Sequence, residues 1–184
     1  MDTVRDHLER GGVALLPTET VWGLAARADS DAGVAALYRL KGRDDGKPLA
    51  VCVRNAAMAA GVAHVGEAAC ALMDAHWPGP LTLVLPARRQ AGLHPKAVEP
   101  GRGTVGLRCP DVGWREALCA KPLALTSANP SGQPAAGTQA RARAFFPDLP
   151  WLADDAPDRS GPPTTIVRVT DSEVEILRQG GVRL

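Results

Sequence analysis

Long apolar runs are missing from this 184-residue chain, and no stretch approaches the roughly 18 uninterrupted apolar residues of a membrane span. The opening MDTVRDHLERGG lacks the apolar centre of a secretory leader, so a cytoplasmic protein without a membrane segment is expected. Cysteine is scarce and scattered. Cys52, Cys70, Cys109 and Cys119 form no CxxC pair and have no histidine at ligand spacing, which argues against a zinc site. Each lies in or beside an apolar run, as in VCV and ACAL, and reads as a buried free thiol of a reducing compartment. Charge of one sign is also lacking: 21 Lys and Arg meet 20 Asp and Glu, so neither a polybasic tail nor an acidic disordered module is present. A phosphate-bearing ligand would therefore need a focused site. No GxSxG, HExxH, paired DxD or triad pattern occurs, and His7, His64, His76 and His94 receive no catalytic duty.

What is present is an ordinary globular composition, 45% apolar and 22% charged, in a chain long enough for one full hydrophobic core. No repeat and no long linker divides it, so residues 1–184 are expected to form a single domain. A short helix through TVRDHLERGG, capped near Thr3 and stopped at Gly11-Gly12, leads into VALL, a buried strand that runs into PTETVWGLA. Ser30 or Asp31 caps a helix through DAGVAALYRL, whose exit delivers KGRDDGKP, and the strand LAVCV follows. Residues 56–76 read as one or two helices broken near Gly61 to Gly66, with WPGP separating them from the strand LTLVLP. Residues 87–103, rich in Arg, Gly and Pro, read as a mobile surface excursion. TVGLRC and PLALTSA are strands with a short REALC helix between them, and QARARAFF is a helix before an irregular DDAPDRSGPP. TTIVRV and EVEILR pair as a hairpin across TDS. The fold class is α/β, a twisted mixed sheet flanked by helices.

Three polar segments fall at strand or helix ends, where open α/β sheets place ligands: PTET, KGRDDGK and TSANPSG. Lys41, Arg43 and Lys47, interleaved with Gly42 and Gly46, suit phosphate oxygens or, equally, a solvated helix exit; the spacing is not that of a Walker loop. Thr126, Ser127, Asn129, Ser131 and Gly132 either wrap a nucleotide or make an ordinary turn. Thr18 and Thr20 bind a small polar ligand or staple their own turn, and Glu19 either orients a cation or substrate amine or faces solvent. Arg108, ending a strand between Leu107 and Cys109, needs an anionic partner, which is a ligand or an internal carboxylate. Trp77, Trp114 and Trp151 read as core or edge packing, whereas Trp22, directly after PTETV, is placed at a pocket wall.

Taken in order, GGVALLPTETVWGLA, LKGRDDGKPL, WPGPLTLVLP, TVGLRCP, LALTSANPSG, GPPTTIV and ILRQG resemble the segments of the YrdC-like family, the threonylcarbamoyl-adenylate synthases, from about Gly11 to Gly180. The chain resembles the short members, without the extra C-terminal domain of some relatives. The resemblance implies that L-threonine, bicarbonate or carbon dioxide, and ATP with Mg2+ yield L-threonylcarbamoyl-adenylate and pyrophosphate, with no tightly bound organic cofactor. Partner proteins would then transfer the threonylcarbamoyl group to tRNA, giving N6-threonylcarbamoyladenosine. It also implies that Lys41, Arg43, Lys47, Ser127 and Asn129 bind ATP, with Lys41 and Arg43 neutralising charge in the reaction. Thr20, Arg108 and Thr126 would serve threonine, and Thr18, Trp22, Cys52, Thr164 and Thr165 would line the cleft.

Three departures from the family pattern touch amino-acid selectivity: Trp22 for Tyr or Phe, Cys52 for a histidine, and RCPDV, with Asp111, in place of RxPxH. Two alternatives stand beside this reading. One is a non-catalytic RNA- or tRNA-binding protein, if Arg88, Arg89, Arg102, Arg141 and Arg143 converge on one face. The other is a related carbamoyl-adenylate enzyme with a different acceptor.

Overall fold

The computed structural model describes residues 1–153, 159, 161–171 and 173–184. Eight short runs pair into one sheet: β1 (Ala14–Pro17), β2 (Trp22–Arg27), β3 (Ala50–Cys52), β4 (Leu81–Pro86), β5 (Thr104–Arg108), β6 (Leu123–Ser127), β7 (Thr165–Val169) and β8 (Val174–Arg178). Their order is β1-β2-β6-β3-β5-β4-β7-β8. The pairs β3–β5 and β4–β7 are parallel and the others antiparallel, so the sheet is mixed, as expected. The helices are α1 (Asp2–Glu9), α2 (Asp31–Lys41), α3 (Ala56–Val62), α4 (Glu67–His76), α5 (Arg115–Leu118) and α6 (Gln139–Phe145). No helix among the described residues is long and apolar enough to cross a membrane.

Strand alternation divides the side chains between two unequal faces. On the first face Leu24, Val51, Leu83, Leu107, Ala124 and Val167 pack against Val34 and Leu37 of α2, Ala59 of α3, Met73 of α4 and Ala142 of α6 in one continuous core. On the second face α1 and α5 cover only part of the sheet. There Val4, Leu8, Trp114, Leu118 and Cys119 pack on Ala14, Leu16, Ala25, Cys52, Leu123 and Leu125. Each fully buried Leu of these layers contributes about 1.5–3 kcal/mol of burial free energy. Toward β5, β4, β7 and β8 this cover ends, and Thr82, Arg108, Ile166 and Arg178 face an open cleft. The register confirms that they share that face, with Thr82 opposite Arg108 and Ile166, and Ile166 opposite Arg178.

Local chemistry accounts for the elements that aim the site. Ser30 caps α2 by accepting from the Gly33 amide at 3.1 Å, and the helix stops at Gly42, whose φ of 58° is the left-handed conformation that a side chain would strain. That stop turns the chain from Lys41 on the helix to Arg43 beyond it.

Several sequence expectations differ from the structure. The helix α1 begins at Asp2 with Met1 as its cap residue, ahead of Thr3. PTET does stand at a strand end, beginning at Pro17 of β1, but it turns the chain back so that WGLAAR is a separate strand antiparallel to β1. Residues 87–103 are fastened rather than loose: the His94 amide donates to the Ala28 carbonyl at 2.7 Å, the Lys96 carbonyl accepts from Leu49, and Ala97 is fully buried. The irregular segment DDAPDRSGPP and the tip of the TDS hairpin fall partly outside the described residues.

Candidate active site

The cleft has a volume of about 570 Å3; hydroxyl and guanidinium groups share its wall with apolar side chains such as Val21, Leu125 and Ile166, and no carboxylate lines it among the described residues. One wall is the PTET turn between β1 and β2. Thr18 Oγ1 donates to the Val21 carbonyl at 2.6 Å and accepts from the amides of Thr20 and Val21 at 3.3 and 3.2 Å, so this hydroxyl closes the turn. Thr20 Oγ1 lies 3.1 Å from Thr18 Oγ1 and accepts from Arg108 Nη2 at 3.2 Å. The turn is also tied from outside: Trp114 Nε1 donates to the Pro17 carbonyl at 2.6 Å, and Arg159 Nη1 donates to the Thr18 carbonyl. Thr18 and Thr20 thus staple the turn and line the cleft at once.

Arg108 occupies the floor at the end of β5 and is 8% exposed. Of the two partners expected from its sequence position the internal carboxylate is present, Glu19 Oε2 lying 2.9 Å from its Nη2, and the side chain also lines the cleft. Arg178, from β8, is a second guanidinium in the same cleft. Its Nη2 donates to the carbonyl and hydroxyl of Thr164 at 2.7 and 3.0 Å, and burial, followed by the charge of Arg108, lowers its pKa. Thr164 also accepts from the Thr82 hydroxyl at 3.1 Å. Arg178 and Thr82 belong to the site although no sequence reading singled them out. The available signal was alternation within EVEILR, which puts Arg178 opposite Ile166 on the open face.

Arg43 supplies a third guanidinium. It donates from Nε and Nη2 to the carbonyls of Lys47 and Pro48 at 3.0 and 2.9 Å while lining the cleft beside Ser127 and Thr126. Lys41 has a different place. Its ammonium is enclosed by four oxygens, the carbonyl and hydroxyl of Ser127 at 2.8 and 3.1 Å and the carbonyl and Oδ1 of Asn129 at 3.1 and 2.9 Å. Ser127 Oγ donates to Asn129 Oδ1 at 2.6 Å, so Lys41, Ser127 and Asn129 form one closed network that fixes the SAN loop against α2. Burial, with a smaller contribution from Arg43, pulls the Lys41 pKa down to about 8.

The structure thus brings Thr18, Thr20, Arg43, Arg108, Thr126, Ser127 and Thr164 to one cleft, with Lys41 and Asn129 directly behind Ser127. Four expected residues stand elsewhere. Trp22 points to the first face of β2 and packs in its core, because Gly23 is the neighbour that faces the cleft; a Cβ at Gly23 would come within 2.8 Å of Leu125 Cδ1. Cys52 lies under α5 with its sulfur 3.5 Å from that of Cys119, and this contact, followed by burial, pushes its pKa up. Lys47 is exposed, and the loop uses its carbonyl rather than its ammonium. Thr165 faces away and ties down the C-terminus, donating to Val182 and accepting from Gly180 and Val182.

The arginines that would make an RNA-binding face are divided. Arg88 and Arg89 follow β4 and share a small surface hollow. Arg141 and Arg143 lie on α6, stacked on Phe145 and Trp151, and Trp151 bridges to β1 at the far edge of the sheet. Among the described residues no group of three His, Cys, Asp or Glu is arranged to hold a metal.

A family model named Sua5/YciO/YrdC and described as "Telomere recombination" matches residues 6–180. The threonylcarbamoyl-AMP synthase of Mus musculus is 36% identical over 154 residues, which cover 82% of this chain and 54% of that protein. The chain thus spans about half the length of several curated mammalian relatives that it matches. The threonylcarbamoyl-AMP synthase of Thiobacillus denitrificans is 34% identical over 172 residues, covering 91% of this chain and 90% of its own. Among solved structures, P. abyssi Sua5 complexed with L-threonine superposes with a TM-score of 0.88 at 29% identity, covering 97% of this chain and 53% of that one.

Proposed function

The chain belongs to the Sua5/YciO/YrdC family of threonylcarbamoyl-AMP synthases, and on that premise we propose that it makes L-threonylcarbamoyl-adenylate from L-threonine, bicarbonate or carbon dioxide, and ATP. In this reaction the threonine amine adds to carbon dioxide and loses a proton, giving a carbamate. A carbamate oxygen then attacks the α-phosphorus of ATP, and the bond to the β-phosphate oxygen breaks to release pyrophosphate. Nothing in the sequence requires a covalent nucleophile, so the protein's work is alignment and charge neutralisation.

The observation that carries this reading is a single cleft lined by three guanidinium groups and several hydroxyls, with no lining carboxylate among the described residues, a receptor for several anionic groups at once. Arg108 and Thr20 hold the threonine carboxylate. Arg43, Ser127 and Arg178 face the nucleotide phosphates, while Lys41 and Asn129 fix the loop that carries Ser127. Among the described residues no carboxylate lines the cleft, so magnesium would be held by the triphosphate itself and would supply charge neutralisation for the leaving pyrophosphate. The product serves tRNA-modifying transfer proteins of the cytoplasm, and a direct contact with tRNA belongs to that pathway step.

The test is incubation of purified protein with ATP, Mg2+, bicarbonate and L-threonine, L-serine or no amino acid, following pyrophosphate and the adenylate by mass spectrometry. Threonine-dependent adenylate is expected. Pyrophosphate release that ignores the amino acid, or adenylate with none of the acceptors, contradicts the reading.

A further inference from the structure

Glu19 is the polar residue of the PTET turn that the proposed reaction leaves without a task. Its two carboxylate oxygens are buried, and neither makes a hydrogen bond. The 2.9 Å approach of Oε2 to Arg108 Nη2 is therefore an ion contact without hydrogen-bond alignment, and it is the one charge compensation found for Glu19 among the described residues. A buried carboxylate without hydrogen bonds is expensive to maintain, so its position calls for an explanation beyond turn geometry.

The backbone on both sides of Glu19 is immobilised. Thr18 is closed onto Val21, Thr20 is tied to Thr18, and Trp114 grips Pro17. This fastened turn carries the Glu19 carboxylate up to Arg108. Glu19 is absent from the cleft lining, whereas Arg108 is part of it, so the carboxylate meets the guanidinium outside that lining. The nitrogens of Arg108 are engaged unequally. Nη2 meets both Glu19 and Thr20, Nε is buried without a partner, and Nη1 is neither buried nor bonded to any described residue.

We propose that Glu19 is a positioning residue for substrate recognition: it holds the Nη2 edge of Arg108, so that Nη1 stays directed at the α-carboxylate of the amino-acid substrate. It also offsets the charge of Arg108, one of three guanidinium groups lining the cleft, which keeps Arg108 from being pushed aside by Arg178. This role rests on the reading of the cleft as an amino-acid and ATP site. It acts through Arg108 and requires no contact between Glu19 and substrate.

The experiment is calorimetric titration of the full chain with L-threonine and, separately, with ATP and Mg2+, for the wild type, Glu19→Gln, Arg108→Gln and the double variant. Glu19→Gln is expected to weaken threonine binding roughly tenfold while leaving ATP affinity within about twofold, as for removal of one member of a charge-assisted pair. In the Arg108→Gln background the same change should add less than about a further twofold, because the residue it acts through is gone. Equal threonine affinity in wild type and Glu19→Gln, or losses that multiply independently, overturns the role. If Glu19→Gln fails to fold, Glu19→Asp keeps the charge and draws it back by one methylene. It should weaken threonine binding several-fold with ATP affinity unchanged, and unaltered threonine binding by it is equally decisive against the role. A wild type that binds ATP but no threonine refutes the amino-acid site itself, and the role of Glu19 falls with it. Wild-type threonine binding that is indifferent to Glu19 removes the positioning role alone.

Discussion

The second face of the sheet holds two regions built on the same strands with opposite chemistry. Under α1 and α5 it is apolar and sealed, with Cys52, Leu123 and Leu125 packed against Trp114, Leu118 and Cys119. On the neighbouring strand β5, past the edge of that cover, Arg108 faces a cleft that hydroxyl and guanidinium groups line together with apolar side chains. Cys52 and Arg108 are register partners, yet one is sealed and the other faces the cleft. What separates a packed residue from a ligand-facing one is the reach of two short helices, and strand pattern alone does not encode that boundary.

The comparison breaks most visibly at Arg108. Arg108→Ala should lower kcat/KM for L-threonine by about a hundredfold or more, the larger of its two effects; it also strands the buried Glu19 carboxylate, so the melting temperature falls too, and adding Glu19→Gln should recover part of that fall without restoring the kinetics. If the thermal midpoint collapses and the kinetics survive, the two regions have been assigned the wrong way round. Leu123→Ala, in the sealed region, should do the reverse. It empties a fully buried site at a cost of about 2–5 kcal/mol in denaturant unfolding, while the KM for threonine stays within about twofold.

A smaller effect sits at Lys41, whose pKa is lowered to about 8 against an unfolded value of 10.5. Below pH 8 both states carry the proton, and the folded state bears the desolvation of the cation. Between about 8 and 10.5 the folded state sheds the proton that the unfolded chain retains, so this group's contribution to stability rises with pH. The neutral amine, however, has fewer donors for the Ser127–Asn129 network, so kcat/KM for ATP should fall over the same window. Parallel pH profiles of denaturant midpoint and of activity check this, and Lys41→Met should abolish the divergence. The smallest change is expected from Trp22→Phe, which should leave the KM for threonine within about twofold while lowering stability by about 1–3 kcal/mol, because Trp22 is core. A larger shift in KM than in stability would return Trp22 to the pocket wall.

The apolar runs LTLVLP and PLALTSA were legible as strands because burial on both faces or under a helix demands continuous hydrophobicity. The cap at Ser30 or Asp31, the helix exit into KGRDDGKP and the break between α3 and α4 were legible because they are local chemistry. WGLAAR was not, since a strand of small residues carries little β preference and owes its place to pairing with β1 and β6. The site divides in the same way. Arg43, Ser127, Thr20 and Arg108 stood in recognisable segments, whereas Arg178 could be identified only once β8 had paired with β7 and turned that side chain onto the open face. The same pairing explains Gly180. A Cβ there would lie 2.1 Å from the Pro163 carbonyl oxygen, so only glycine lets the end of β8 pass beside Thr164. The expectation that Trp22 and Cys52 line the cleft failed, because aromatic size and proximity to a motif do not say which side of a strand is covered.

The most direct measurement is a crystal structure of the protein with L-threonine and a non-hydrolysable ATP analogue. The expected result is the threonine carboxylate on Arg108 Nη1 and Thr20, with the triphosphate at Arg43, Ser127 and Arg178, and α1 and α5 still sealing Cys52. Ligands bound away from the open half of the sheet, or a threonine carboxylate that leaves Arg108 untouched, would contradict it.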